Sequence, residues 1–285
     1  MRTISQDSLK AYRDRTFRSS PGLQIKTREE AIAYVKERGF VYFWPITGVL
    51  FPSLWTAVAG DRPVADEHDD PGHVTWGWKD GLLGSHEWYY AKVLRKKGTM
   101  ISFDVVPYFY ALSENYGSPE DDYLTLYEQG RLTLESKMIY EELLDEGALD
   151  TVALRKNTHM SSRSSEARFE KALSDLQADF KILPVGVADA GSWHYAFVYD
   201  IVARRYPELT DQAHEISESE AYRKLADLYF QSVGAARPGD LSKLFGWRPA
   251  TLERTIDYLE QNGRLECSVS LENQRGEWVA LSTLG

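Results

Sequence analysis

From residue 134 onward, apolar residues fall at helical spacing three times, then alternate, and the same order returns once more. In LTLESKMIYEELLDEG, Leu134, Met138, Ile139 and Leu143 mark one helical face, and Gly147 supplies the stop. DTVALRKNTH predicts a short second helix with Asp150 or Thr151 as its N-cap. The serines of SSRSS lead into EARFEKALSDLQADF, where Phe169, Ala172, Leu173, Leu176 and Phe180 form one apolar stripe. KILPVGV, the turn ADAGS and WHYAFVYD then predict a hairpin, with Trp193, Tyr195, Phe197 and Tyr199 on one face of its second limb.

The second copy follows in the same order. EAYRKLADLYFQSVG and RPGDLSKLFG predict a first and a short second helix. WRPATLERTIDYLEQNG predicts a third, with Pro249 in its first turn, a Leu252/Ile256/Leu259 stripe and an Asn262–Gly263 stop. RLECSVSL, ENQRG and EWVALSTL close the unit as a hairpin. Three helices followed by a two-stranded wing is the winged helix-turn-helix order, and its repetition strengthens the reading. The expected fold class is α+β, mainly helical, built of tandem winged helix-turn-helix units. The expected division is an aromatic-rich, winged-helix-like segment over 1–128, a winged helix over 129–210 and a second clear one over 215–285.

The first segment differs in kind. Five of the eight tryptophans fall before residue 130. Thr27 and Glu30 have the spacing of a capping box at the start of TREEAIAYVKERG, and Gly39 ends that helix. GFVYFWPITG follows. Its aromatics have two readings, a core packed with Trp55, Trp76 and Trp78, or a surface on which a flat ligand stacks.

Composition narrows the function classes. At 43% hydrophobic and 27% charged the chain reads as globular protein, and no apolar run approaches the ~18–20 residues that span a bilayer. MRTISQDSLKAYRDR lacks the apolar core of a secretory signal, and a single cysteine, Cys267, excludes an intrachain disulfide framework. A reducing cytoplasm is the expected compartment, and neither a membrane nor a cofactor is expected. ADEHDDPGHVTWGW gathers Glu67, His68, Asp69, Asp70 and His73, with His86 beyond, but lacks zinc-motif spacing and contains Pro71–Gly72. An acidic surface turn is expected there, with no metal.

A net charge of −10 argues against a protein that coats nucleic acid non-specifically, while allowing a local basic face. Candidates for phosphate contact are Arg163, Arg168 and Lys171 on the third helix of the first copy and Arg155 and Lys156 on the helix before it. Arg95, Lys96 and Lys97 form a further basic cluster in LRKKG. Glu166, Glu170 and Asp175 stand ready to neutralise the helix. In the second copy Arg248 and Arg254 face Glu253, Asp257 and Glu260, a poor phosphate surface.

Three stretches carry a family resemblance. ERGFVYFW resembles the segment of the winged-helix DNA glycosylases for alkylated and crosslinked bases (AlkZ/YcaQ-like) where a Gly-x-x-Gln-x-Gln or Gln-x-Asp motif follows the same helix. VLRKKGTMISFDVVPYFYAL is similar to that family's Arg-Gly-Thr-x-His segment, and FVYD with RRYPEL to its wing and the turn beyond. The resemblance runs from about residue 25 onward. It implies tandem winged helices around a central DNA-facing cavity, with double-stranded DNA as partner.

Against that pattern, Tyr42 and Trp44 stand where the family has its catalytic polar side chains, and Ile101 where it has histidine. An indole donates only, and a tyrosine with a pKa near ~10 is a poor base at neutral pH. The catalytic residue is therefore open, with Tyr42, Asp104 and Asp80 as candidates. Tyr42, Trp44, Trp76 and Trp78 are the candidate platform for a base or small-molecule ligand. Three functions are compatible with these residues: DNA recognition, of damaged DNA included, without the family's excision residues; a glycosylase with a non-standard catalytic residue; or a small-molecule-binding regulator.

Overall fold

The computed structural model describes residues 2–191 and 194–284. The chain folds into two compact units. The first comprises residues 1–77, 100–102 and 217–285, the second residues 78–99 and 103–216. The segment 1–128 expected as one domain thus contributes to both.

The second unit contains the middle winged helix. Its helices are Leu134–Glu146, Thr151–Asn157 and Glu166–Ala178, and its wing strands Ile182–Ala188 and Ala196–Ile201. Asp150 caps the second helix by accepting from the Val152 and Ala153 amides at 2.8 and 3.0 Å. The short strand Leu149–Asp150 pairs with the outgoing wing strand, Leu149 opposite Tyr199, giving a three-stranded antiparallel sheet. Phe169, Leu173 and Leu176 are buried with Ile139, Leu143, Leu154 and Ile201 in one core. Each such side chain contributes on the order of 1.5–3 kcal/mol relative to exposure.

Two stripe positions depart from expectation. Leu134 is 53% exposed at the helix start. Phe180 is buried but lies beyond the helix in a left-handed turn (φ 55°), where its ring stacks on Tyr89 at 5.1 Å. On the wing, Tyr195, Phe197 and Tyr199 share a face, with ring centroids 5.5 and 6.1 Å apart. Trp193 lies outside the described residues.

The first unit contains the C-terminal winged helix. Its helices are Glu218–Val233, Pro238–Phe245 and Pro249–Gln261, and its strands Ala235–Ala236, Leu265–Leu271 and Trp278–Leu281. The short strand again pairs with the outgoing wing strand, Ala236 opposite Val279. The N-terminus enlarges this sheet: Thr3–Ile4 runs parallel to the first wing strand, Thr3 opposite Ser270. The helix Gln6–Thr16 then packs on Glu218–Val233, where the Tyr12 hydroxyl donates to the Gln231 carbonyl at 2.8 Å. Gly234 is the residue this packing requires. Its φ is 76°, and an added Cβ would fall 2.8 Å from the Tyr12 ring.

The expected capping box is present: Glu30 donates its amide to Thr27 Oγ1, and its carboxylate accepts from the Thr27 amide. The helix it starts, Arg28–Arg38, opens a third winged-helix order. Phe40–Tyr42, Leu54–Ala59, Val74–Asp80, Tyr89–Lys92 and Gly98–Ile101 follow along the chain. Within the first unit, Phe40 stacks on Phe51, and Phe51 on Tyr229 with ring planes 4° apart. Most of the aromatic run is core.

Candidate nucleic-acid interface

Tyr42, Trp44 and Ile101 lie in the first unit. Tyr42 and Ile101 are fully buried, and the Tyr42 ring stands edge-on to Phe51 at 6.1 Å. This corrects the expectation that Tyr42 offers a ring face or a base to a ligand: its side chain fills core. Trp44 follows the strand end and is half-buried. Its ring stacks on Phe43 at 5.4 Å and meets Trp76 at 5.6 Å. Its indole Nε1 is buried without a hydrogen-bond partner among the described residues. Trp76 and Trp78 sit two apart on the helix Val74–Asp80, so their side chains leave opposite sides of it. The four expected platform residues therefore do not share one surface.

A cleft of about 420 Å³ in the first unit contains none of them. It is lined by Arg13, Asp14, Phe17, Phe51, Thr56 and Asp61, among others.

The carboxylate candidates separate. Asp104 is exposed on a turn. Asp80, the last residue of its helix, accepts from the ammonium of Lys79 at 2.8 Å and from the hydroxyl of Tyr195 at 3.0 Å. Lys79 Nζ in turn lies 3.1 Å from the Tyr195 hydroxyl and 4.6 Å from the Phe197 ring centroid, with Tyr90 at 5.4 Å. Only 2% of the Lys79 side chain is exposed. Desolvation lowers the Lys79 pKa, opposed by the hydrogen bond and charge of Asp80. Burial, then the charge of Asp80, raises that of Tyr195. The contact between Lys79 and Tyr195 escaped the sequence reading. The signal for Lys79 was a lone cation inside TWGWKDG, but Tyr195 lies more than a hundred residues away.

The expected phosphate contacts divide by whether a carboxylate already holds them. On the third helix of the middle winged helix, Lys171 pairs with Asp175 at 2.6 Å and Arg168 with Glu135 at 3.0 Å. Arg155 pairs with Glu170 at 3.1 Å and lies over the Phe169 ring. Lys96 is ion-paired with Asp175. These four are neutralised. Arg95, Lys97, Lys156 and Arg163 are exposed and make no side-chain ion pair among the described residues.

Arg95–Lys97 is the tip of the hairpin joining Tyr89–Lys92 to Gly98–Ile101. That tip packs against the helix Glu166–Ala178 within the second unit. The Lys92 amide donates to Gln177 Oε1 at 3.1 Å, and the Lys92 ammonium lies 3.4 Å from Ser174 Oγ. With Lys96 on Asp175, the C-terminal half of the expected recognition helix is covered by this wing. Arg95 and Lys96 are consecutive left-handed residues, φ 54° and 56°, a conformation costing about 1–2 kcal/mol per residue. The ion pair of Lys96 fixes that turn and leaves Arg95 and Lys97 projecting.

The acidic segment around His73 is a structured turn. Asp70 accepts from the Gly72 amide at 2.7 Å and pairs with Arg62 at 2.6 Å, and His73 Nε2 meets the Ala65 carbonyl at 3.0 Å. Among the described residues no three His, Cys, Asp or Glu side chains are grouped to hold a metal ion, and no helix is long and apolar enough to cross a membrane.

Comparison with known proteins matches this architecture. Among solved structures, the DNA glycosylase AlkZ of Streptomyces sahachiroi is similar at a TM-score of 0.60 and 13% identity, over 99% of this chain and 70% of that one. No curated protein matches. A model of the family described as AlkZ related matches residues 25–246. With most of its length under that model, the chain belongs to the AlkZ-related family.

Proposed function

We propose that the protein binds double-stranded DNA, and that it does so without the excision chemistry of its glycosylase relatives. The observation that carries the reading is the basic wing tip in the second unit. Arg95 and Lys97 project from a turn pinned by the Lys96–Asp175 ion pair and by Lys92 on Gln177. In winged helices the wing meets the sugar–phosphate backbone, and free cations there release counterions on binding. The third helix is a poor candidate for groove entry over its C-terminal half, because the wing covers it. Arg163 and Lys156, also unpaired, supply further phosphate contacts.

Excision needs a group that accepts a proton from water or positions it near the sugar. Tyr42 and Ile101 are sealed in core, and Trp44 offers only a donor N–H.

Fluorescence anisotropy with intact, abasic-analogue and alkylated duplexes at several salt concentrations tests this reading. Alkali treatment of the same samples reads out excision. Binding with a log–log salt slope of about −2 to −4, the slope for two to four phosphates, and no strand cleavage is the expected result. No binding at low salt overturns the DNA reading. Cleavage lost in Asp104→Asn or Asp80→Asn overturns the non-catalytic one.

A further inference from the structure

Three lysines and one carboxylate meet where the wing tip of the second unit lies on the helix Glu166–Ala178. Asp175 accepts from Lys96 on Oδ1 and from Lys171 on Oδ2, the latter at 2.6 Å. Lys96 comes from the wing tip and Lys171 from one turn earlier on the helix, so two elements converge on one acid. Lys92 places a third ammonium beside it, 3.4 Å from Ser174 Oγ, and makes no ion pair among the described residues. One carboxylate therefore answers two of three neighbouring cations, and the cluster stays positive.

The partners differ in exposure. The Lys96 and Lys171 side chains are 51% and 65% exposed, that of Asp175 only 16%. The ammoniums can turn outward into solvent, while the carboxylate stays low between them. Burial pushes the Asp175 carboxyl up, but the hydrogen bonds and charges of Lys171 and Lys96 outweigh it, and the net lowering keeps an anion there at neutral pH. The turn itself has other supports. The Lys96 and Lys97 amides donate to the Val93 and Leu94 carbonyls at 3.2 and 3.0 Å, and the Leu94 amide donates to Thr99 Oγ1 at 3.2 Å. The Lys92 amide on Gln177 keeps the wing on the helix independently of Asp175.

Two lysines on the two oxygens of one carboxylate form an arrangement that a phosphodiester, with its own pair of anionic oxygens, would also draw. We infer that Asp175 is a built-in competitor for DNA phosphate: it occupies the lysine cluster between wing and helix, and a duplex engages Lys96 and Lys171 only by displacing it. The inference rests on the DNA reading of this unit and names what holds that binding down. Arg95 and Lys97 make the first phosphate contacts, and the lysines on Asp175 are a reserve. Ion pairs this exposed are weak enough for a polyanion to break.

The full chain, as wild type and as Asp175→Asn, would be titrated by anisotropy against a labelled duplex at four salt concentrations. Asparagine keeps the shape of the side chain and removes its charge, and circular dichroism checks the fold. Expected is binding about tenfold tighter near 0.1 M salt, with a log–log salt slope steeper by about 2. Glu128→Gln removes an exposed carboxylate elsewhere in the unit, with the same change in net charge, and should gain less than about twofold. Lys171→Ala should cost less than about twofold in the wild type but about threefold or more in Asp175→Asn, where its ammonium is released. A duplex that binds the wild type and binds Asp175→Asn no better overturns the inference and makes the carboxylate a pin for the wing, with the DNA reading intact. A gain matched by Glu128→Gln, or a Lys171→Ala effect equal in both backgrounds, overturns it as well. No binding by either protein at low salt overturns the DNA reading and this inference together.

Discussion

The helices Glu166–Ala178 and Pro249–Gln261 hold the same place in the same topology, and each carries a row of carboxylates. In the middle winged helix, every one of those charges that is paired answers a cation. Asp175 holds Lys96 and Lys171, and Glu170 holds Arg155. In the C-terminal copy, Glu253 and Asp257 stand exposed on the helix surface. One arrangement uses its acids to fix a basic wing in place; the other leaves them to repel phosphate. Topology therefore assigns the helix its position but not its partner, which depends on the charges left after internal pairing.

The largest expected effect lies in how the middle wing is anchored. Tyr195 at its base is tied to Lys79 and Asp80, and removing the carboxylate leaves an ammonium buried without its counter-charge. Asp80→Ala should cost about 3–5 kcal/mol, the range for breaking a buried pair from one side. Lys79→Met should cost distinctly less, because Asp80 is 24% exposed and keeps the Tyr195 hydroxyl. Urea denaturation followed by circular dichroism measures both, and equal losses would mean that the pair is not anchored by desolvation. The C-terminal copy contains no such tie among the described residues of its wing, so the same comparison has no counterpart there.

Next comes the wing tip. Arg95→Glu with Lys97→Glu should weaken duplex binding about tenfold or more near 0.1 M salt and flatten the salt slope by about 2. Anisotropy at four salt concentrations reads both. An unchanged slope would remove the wing from the interface and erase the contrast between the two copies.

A pH effect follows from a second buried lysine of the middle unit. Lys181 donates to the Glu114 carbonyl and to Asn115 Oδ1, at 3.1 and 2.8 Å, and burial brings its pKa down to about 8. The folded pKa lies below the unfolded one, so between them the unfolded chain holds the extra proton and stability rises with pH. The wild type should gain stability from pH 8 to pH 10 relative to Lys181→Met, whose curve lacks that contribution. Parallel curves would show that the ammonium is better solvated than its burial implies.

The smallest effects belong to the paired cations. Arg168→Ala and Lys171→Ala should change duplex affinity less than about twofold, because exposed ion pairs of this kind contribute about 0–1 kcal/mol and their charge is already answered. Losses as large as those at Arg95 and Lys97 would put the helix face back at the DNA.

The parts legible in the sequence were those set by neighbours along the chain. Thr27 with Glu30, Asp150 before its helix, Pro249 in a first turn and the Phe169–Leu176 stripe all depend on residues within a few positions, and all took the expected form. The site was less legible for the opposite reason. That Lys96 would be spent on Asp175, or that Lys79 would find Tyr195, depends on pairings across 79 and 116 residues. Tyr42 in an alternating aromatic run looked able to present one face. Its strand, however, is covered on both sides, and a strand buried twice has no alternation to read.

The parallel pairing of Thr3–Ile4 with the C-terminal wing sets an order of events during synthesis. Thr3–Ile4 completes a sheet whose other strands are made much later along the chain, with Ser270 donating its amide to the Arg2 carbonyl and Glu272 to the Ile4 carbonyl. At ~5–20 residues per second, the N-terminal strand waits on the order of tens of seconds for its partner. The middle winged helix, whose core closes within a far shorter stretch of chain, can assemble during that interval. The edge of Leu265–Leu271 is sealed only when Thr3–Ile4 pairs with it across this long separation.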